Sequence, residues 1–400
     1  MRIRYYSDTR FPLERANGIQ TMHTCHALAG RGHTVTLVVR PDTEEPPRDP
    51  FAYYGLPPSG RLSIVQVPAH GTPLARRLRY LAHALTRTIG RRQADIVFTR
   101  DLGTASALIG LPRMLRPPVV YESHAFSPEF ARALPTMLSG AKRASATKLD
   151  RLTRRERRVW SGADGYVTIT TGLALELATH FGSRRRATVI PDGVSLRPDR
   201  QFVEPRVGSA PVVAYAGHLY PWKGVDVLLQ ALVAVPGARG LIIGGHPGEP
   251  DLARTQARAR ELGLEESLTF AGAVAPTEVD ARLAQAEILV LPNTGTKISA
   301  RYTSPLKLFE YLAAGKPIIA SDLPALREVL RHEENCLLTP AGDPRALAEA
   351  IVRLATDPAL CERLARQAFA DATQYSWDRR AARLERLFEV LVKPARETRQ

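Results

Sequence analysis

The chain has 400 residues and a mass of 44.0 kDa, enough for two domains rather than one. An apolar share of 44% lets sizeable cores form, and no apolar run approaches the roughly 18 residues of a membrane span, so a soluble or surface-bound protein is expected. Fifty-five Lys and Arg against 40 Asp and Glu give a net charge of +15, a balance that suits anionic partners: nucleic acid, anionic lipid or a phosphorylated substrate. Cys25, Cys336 and Cys361 are far apart and make neither a metal-ligand spacing nor an even disulfide set, which points to a reducing cytosol. The segment Met1 to Tyr6 has no long apolar stretch of the signal-peptide kind.

In chain order, Ile3 to Tyr6 reads as a strand. Asn17-Gly18 then opens a helix from Ile19 to Gly30, and Val35 to Val39 is a second strand. Strand, glycine loop, helix and strand make a βαβ unit, although the full G-x-G-x-x-G pattern is missing. Residues 41 to 60, rich in Pro and acidic residues, read as an exposed loop, and Leu62 to Val67 as a strand. Pro73 to Gln93 reads as a helix with Leu78, Leu81 and Leu85 on its apolar stripe and Arg76, Arg77, Arg79, Arg87, Arg91 and Arg92 around it. Lys142 to Trp160 is a second basic stretch, with Arg151, Arg154, Arg155, Arg157 and Arg158. Basic amphipathic helices fit anionic membrane surfaces, or are simply solvated charge on packed helices. Ile96 to Phe98 and Val119 to Tyr121 are strand cores, and the second runs into Glu122-Ser123-His124. Polar residues at the carboxyl end of a parallel strand sit where such folds bind ligands, so His124 is the histidine best placed for chemistry. His23, His26, His33 and His83 read as structural. Tyr166 to Thr170 and Thr188 to Ile190 are strands flanking a helix over 172–181.

Ser195 to Ala210 is polar and proline-punctuated, as a linker would be. The α/β pattern then restarts. Strands are expected at Val212 to Ala216, Gly240 to Gly244, Leu268 to Phe270 and Ile288 to Leu291. The intervening helices are Val225 to Val235, Asp251 to Leu262 and Thr277 to Gln285. The stretch Ser304 to Ser321 stands out. Ser304 is a candidate N-cap, Pro305 suits the first helical position, Leu306, Phe309 and Ala313 share a stripe, and Gly315 suits a left-handed cap. Ile318 to Ala320 follows as a buried strand. Glu310 lies in an apolar setting one turn inside this helix. Its carboxylate can accept from the vicinal hydroxyls of a ribose, while the helix N-terminus suits phosphate. The alternative is a solvated Glu310 paired with Lys307. Lys223, in the loop from Gly217 to Gly224, can reach a phosphate at that helix mouth. Helices from Pro344 to Gln374 and from Trp377 to Leu391 end the chain. Two wound domains joined by a linker favour a ligand cleft between them.

The order and spacing of these motifs resemble the retaining GT-B glycosyltransferases of family GT4. They include the Asn17-Gly18 loop, RGHTVTLV, VVYESHAF, IPDGV, AGHLYPWKGVDVLLQAL, LIIGG, LGLEESLTFAGAV, AQAEILVLP, SPLKLFEYLAAGKPIIAS and a late YSW. The resemblance implies an α/β fold of two Rossmann-like, doubly wound domains facing a central cleft. These would be an acceptor-side domain over 1–195, a linker over 196–210, a donor-binding domain over 211–375, and a C-terminal helix over 376–400 crossing back to the first domain. It also implies roles. Glu310 matches the glutamate that holds the nucleotide ribose, Lys223 the lysine on the donor phosphates, Gly18 a glycine that lets the backbone approach the diphosphate, and His124 a histidine near the transferring sugar. Val274 would meet the nucleobase through its main chain, and Gly217, His218, Ser304, Leu306 and Lys307 complete the donor set. Two positions depart from the family pattern. Tyr302 stands where the first glutamate of the E-x7-E motif would fall, and His218 where an arginine would. Lys307 can supply the missing positive charge.

The activity so implied is retaining transfer of a sugar from a UDP- or GDP-sugar to an acceptor hydroxyl in cell-envelope or exopolysaccharide glycan or glycolipid synthesis. It would take place in the cytoplasm or at the inner face of its membrane. Lys223, Lys307, a protonated His218 and the helix N-terminus would stabilise the leaving diphosphate. No D-x-D pair occurs, so no metal or other cofactor is expected, and a nucleic-acid partner is not expected without an aromatic-interleaved basic motif. Three other readings stay open: a small soluble acceptor, a non-catalytic nucleotide-sugar binding protein, and a nucleotide-sugar epimerase on a GT-B-like fold.

Overall fold

The computed structural model describes residues 1–90, 93–138, 140–197, 199–205 and 207–392. Arg91 and Arg92 of the expected basic helix lie outside the described residues, as do positions 198 and 206 of the expected linker and 393–400 of the expected C-terminal stretch. The chain divides into two compact units. One comprises Met1–Glu129, Ser145–Asp192 and Trp377–Gln400, the other Phe130–Ala144 and Gly193–Ser376.

The first unit is built on seven parallel strands: β1 (Arg2–Arg10), β2 (Thr34–Arg40), β3 (Leu62–Gln66), β4 (Ile96–Thr99), β5 (Val119–Ser123), β6 (Gly165–Thr168) and β7 (Ala187–Val189). Their order is β3-β2-β1-β4-β5-β6-β7, with Tyr5 opposite Leu37 on one side and Phe98 on the other. The second unit repeats the plan with β8 (Val212–Ala216), β9 (Arg239–Ile243), β10 (Leu268–Gly272), β11 (Ile288–Leu291), β12 (Ile318–Ser321) and β13 (Leu337–Thr339), ordered β10-β9-β8-β11-β12-β13. In each sheet the winding reverses beside the first strand, at β1/β4 and at β8/β11. The crevice outside the carboxyl ends there is where open parallel sheets bind ligands. The central strands are buried along their whole length, as helices on both faces require, and this is why they read as unbroken apolar runs.

Several elements escape the periodicity, among them the helices Leu102–Leu108 and Pro324–Arg327 and the proline-interrupted helix Ser127–Met137, and most of them are short. The helix Pro50–Tyr53, capped by Asp49, sits inside the expected loop; the helix Lys297–Tyr302 precedes the Ser304 stretch; and β13 lies where no strand was expected. The helix expected over 73–93 ends at Thr88, and its stripe holds only in part: Leu85 packs against the core and Leu81 is partly buried, but Leu78 faces out. Leu78 is 56% exposed and Leu74 68%, while Tyr80, Ala84 and Thr88 form the buried face. The reason is polar: Tyr80 donates to the Val38 carbonyl at 2.7 Å, and Thr88 meets the Tyr6 hydroxyl at 3.1 Å. Arg77 is not surface charge either, since it bridges Asp8 and Asp101 beneath the helix.

The helix Trp377–Val392 belongs to the core of the first unit. Ala381, Leu384, Leu387 and Phe388 are buried with Ile3, Tyr5 and Phe98, the Phe388 and Phe98 rings meeting edge-on at 5.5 Å. Trp377 stacks on His23, and Arg31 pairs with Glu385 at 2.6 Å. Phe388→Ala should therefore cost about 3–5 kcal/mol, the usual loss for a buried aromatic. Chemical denaturation should place that loss in the unit containing residues 1–129, and an unchanged midpoint would show the helix to be detached.

Candidate functional site

The carboxyl edge of the second sheet is tightly closed by glycines. The Gly217 N–H donates to the Ile243 carbonyl at 2.7 Å, and the Gly244 N–H to the Gly272 carbonyl at 2.8 Å. Gly224 caps the helix Val225–Val233 in the left-handed region, φ 75°, and a Cβ there would stand 1.8 Å from the Pro292 carbonyl oxygen. Only glycine lets this loop lie against the end of β11. The helix Leu306–Ala314 is tied to the same edge by Tyr311, whose hydroxyl accepts from the Ala216 N–H at 2.7 Å. Gly315 ends the helix at φ 65°, as expected. Its beginning differs from expectation. The N-cap position falls on Pro305, not Ser304, and Leu306 is the first helical residue. Proline offers no side-chain acceptor, so the residue at the cap position itself satisfies none of the free N–H groups at the positive end of the helix.

Two lysines and a glutamate stand at this edge. Lys307, 7% exposed, lays its ammonium 3.7 Å from the centre of the Tyr215 ring, and its Nζ has no hydrogen-bond partner among the described residues. It does not pair with Glu310, so the bland reading of that glutamate fails. A desolvated cation–π contact is worth about 2 kcal/mol or somewhat more, whereas removing an ammonium from water costs several. Accordingly burial, and then Lys223, push Lys307 well below the usual lysine range, with Glu310 opposing. Half-buried Lys223 sits 3.7 Å over the Trp222 ring and is pushed down to about 7 by burial. Burial pushes half-buried Glu310 up to about 7, against Lys307. Among the described residues no ion pair offsets these charges, and the mutual pull of Lys307 and Glu310 does not outweigh burial. His218 stacks on Tyr220 at 4.8 Å and lies 3.4 Å from the Glu249 carboxylate. Val274 follows β10, partly buried against the core beneath this edge, and Leu306 is buried.

In the first unit, His124 lies just beyond β5, its Nε2 2.6 Å from Glu122 Oε1. That same oxygen accepts from Gln20 and from Arg380, each at 2.7 Å. Glu122 is fully buried and Asp192 lies close by; the potential ligand atoms of Glu122, His124 and Asp192 fall within 4.8 Å of one another. The Arg380 guanidinium already supplies the local positive charge, so the cluster does not fit a cation. The helix Ala16–Gly30 begins three residues before the expected Ile19, so Gly18 lies inside its first turn. A Cβ there would stand 2.3 Å from the Leu13 carbonyl oxygen and 2.4 Å from the Tyr54 hydroxyl, so packing alone accounts for the glycine. Sequence reasoning missed Glu122 and Arg380. Glu122 carried a signal, a carboxylate at the end of a buried strand, whereas Arg380 is one of many arginines on a helix 258 residues away.

Comparison with known proteins agrees with this architecture. A glycosyltransferase family 4 model matches residues 18–197, and a glycosyl transferases group 1 model matches residues 210–357. The phosphatidyl-myo-inositol mannosyltransferase of Mycobacterium leprae is 34% identical over 213 residues, 51% of this chain and 54% of that protein. A D-inositol 3-phosphate glycosyltransferase of Acidothermus cellulolyticus is 32% identical over 243 residues, 56% of this chain and 52% of its own. The chain thus spans about half the length of the curated relatives it matches. Sucrose-phosphate synthase from Thermosynechococcus elongatus superimposes with a TM-score of 0.77 at 20% identity, covering 97% of this chain and 98% of that one. The fold is GT-B. The chain belongs to the family 4 glycosyltransferases.

The raised Glu310 pKa has a definite sign. The folded protein holds this proton more tightly than the unfolded chain, so stability is lost as pH climbs from about 4.5 to about 7. Glu310→Gln should raise the Tm of the empty protein by a few degrees at pH 8, at about 2–4 °C per kcal/mol recovered. At pH 4 it should change nothing. Scanning calorimetry at the two pH values checks this, and an equal shift at both would contradict it.

Proposed function

We propose that this chain transfers a sugar from a UDP- or GDP-linked donor to a hydroxyl of a cell-envelope glycan or glycolipid, with retention at the anomeric carbon. The observation that carries the reading is the buried Lys307 ammonium without a hydrogen-bond partner among the described residues, beside Lys223 and the start of the helix Leu306–Ala314, whose cap residue Pro305 offers no side-chain acceptor. A diphosphate is the ligand class that answers all three at once. Glu310, one turn further in, takes the ribose hydroxyls, and the main chain near Val274 faces the base. Gly217, Ser304 and Leu306 shape the pocket with their backbone. In the transition state the leaving diphosphate gathers charge, which Lys223, Lys307, the helix N-terminus and a protonated His218 beside Glu249 stabilise. With the lysines as counter-charge, this reading requires no metal. His124 faces the transferred sugar.

A lipid-borne acceptor is favoured by the surface of the first unit and by the name of the Mycobacterium leprae relative. Leu74, Leu78 and Ile89 are exposed on or just after the helix Pro73–Thr88, together with Arg79 and Arg87, and the helix Ala146–Gly162 exposes Arg151, Arg154, Arg155, Arg157 and Arg158. Exposed leucines among arginines suit the headgroup region of an anionic membrane. No helix among the described residues is long and apolar enough to cross one. A small soluble acceptor is the second reading, supported by the name of the Acidothermus relative.

Lys307→Met separates a binding role from a structural one, because the two effects have opposite signs. It removes an uncompensated charge, so the empty protein should melt higher. It also removes the anion's partner, so stabilisation by UDP or GDP should largely disappear. Glu310→Ala should weaken the better nucleotide by about 10–100-fold, the worth of charged hydrogen bonds to two hydroxyls. Thermal shift across nucleoside diphosphates and their sugars, followed by calorimetry, measures both, and full nucleotide affinity in both variants would sink the donor site. Liposome pelleting tests the acceptor: binding to vesicles with anionic lipid should fall sharply in a Leu74→Ser, Leu78→Ser double variant, and equal pelleting with neutral vesicles favours the soluble acceptor.

A further inference from the structure

The buried cluster around Glu122 contains more than a site histidine needs to be present. Glu122 is completely buried, and three donors from three elements converge on its Oε1: Gln20 from the helix Ala16–Gly30, His124 from the end of β5, and Arg380 from the C-terminal helix. Arg380 is itself 3% exposed and is fixed by the carbonyls of Ile190 at 2.9 Å and Pro191 at 2.7 Å, and by the Thr24 hydroxyl at 3.2 Å. Gln20 is held in turn by Arg100, which donates to its Oε1 at 2.8 Å. That contact forces the Gln20 amide to present its NH₂ group to Glu122.

We infer that Arg380 and Glu122 are positioning residues that fix the protonation and orientation of His124, so that its Nδ1 is offered as a hydrogen-bond acceptor. Burial pushes the Glu122 carboxyl up, but Arg380, His124 and Arg100 outweigh it and hold it at about 2. A carboxylate ionised at neutral pH can only accept, so the His124 nitrogen 2.6 Å away must carry a hydrogen. Burial, then Arg100, lower the His124 pKa against the pull of Glu122 and Asp192, so the ring is neutral near pH 7. A neutral imidazole protonated on Nε2 has a bare Nδ1. Such a nitrogen accepts from a sugar or acceptor hydroxyl, and a wrong tautomer in that place would repel the same hydroxyl. The charged and titratable groups around the pair are Arg100 beyond β4, Asp192 beyond β7, Tyr5 on β1, Cys25 on the first helix and Arg380. Of these, Arg380 alone makes a direct ionic contact with Glu122.

This inference rests on the reading of His124 as facing the transferred sugar only for its effect on rate; the tautomer can be read without any activity. Nitrogen-15 NMR of the histidine rings, with the His124 signal identified by its loss in His124→Asn, should show the proton on Nε2 in the unaltered protein at pH 7.5. Arg380→Met should give a mixture of tautomers and Arg380→Lys should recover most of the original signature. Glu122→Gln should lower the His124 pKa. With donor and acceptor in hand, Arg380→Met and Glu122→Gln should lower kcat by about 10²-fold with the donor KM little changed, the usual size for loss of a correctly poised acid–base group. A His124 proton on Nδ1 in the unaltered protein overturns the proposal, as do His124 signals unmoved in both Glu122→Gln and Arg380→Met. A His124→Asn protein with undiminished transfer, alongside the expected tautomer, would instead dismiss the sugar contact and leave the positioning intact.

Discussion

Burying a charge without a partner is among the more costly things a protein can do, and the second unit does it on purpose at Lys307. The ring of Tyr215 returns only a part of the lost hydration, and Glu310, although three residues along the same helix, does not close on the ammonium. The rest of that sheet edge is arranged so that this imbalance persists. Glycines at 217, 224 and 244 let the loops lie close, Tyr311 anchors the helix to β8, and a proline at the cap position offers the helix start no side-chain acceptor. A site so prepared gains most from a dianionic ligand and little from water.

The first unit treats charge in the opposite way. Glu122 is buried as deeply as any residue in the chain, yet it is met by donors from three elements. Breaking such a group by removing one partner is strongly destabilising, which makes it a rigid frame rather than a receptive one. The contrast is functional in the proposed reading: one unit waits for an anion, while the other holds a single imidazole in a fixed chemical state.

What could be read from the residues follows from the range of the forces involved. The sheet strands, the glycine-capped helix Leu306–Ala314 and the repeated α/β pattern are local or periodic, and they were legible. Register at helix starts was not: Ser304 has the right chemistry for a cap, but the chain places Pro305 there. The inner face of the helix Pro73–Thr88 is legible only at Leu81 and Leu85, because Tyr80 and Thr88 bury polar atoms that find partners on β1 and β2, whereas Leu74 and Leu78 face outward. Lys307 reads from the sequence either as a surface partner of Glu310 or as a cation for the diphosphate, and only its tertiary burial without a hydrogen-bond partner among the described residues sets the first aside. Arg380 was beyond reach altogether, because its meaning lies in a carboxylate on the far side of the sequence.

The C-terminal helix also bears on how the molecule comes into being. Leu384 and Phe388 complete a core whose first strand begins at Arg2, whereas nearly all of the second unit is one continuous stretch between them. During synthesis at about 5–20 residues per second, the second sheet has its whole sequence available before the first can close. For that interval the earliest-made strands wait on the ribosome with an uncovered apolar face. The nascent chain is then most exposed to aggregation in its oldest part, and a chaperone would be needed there first.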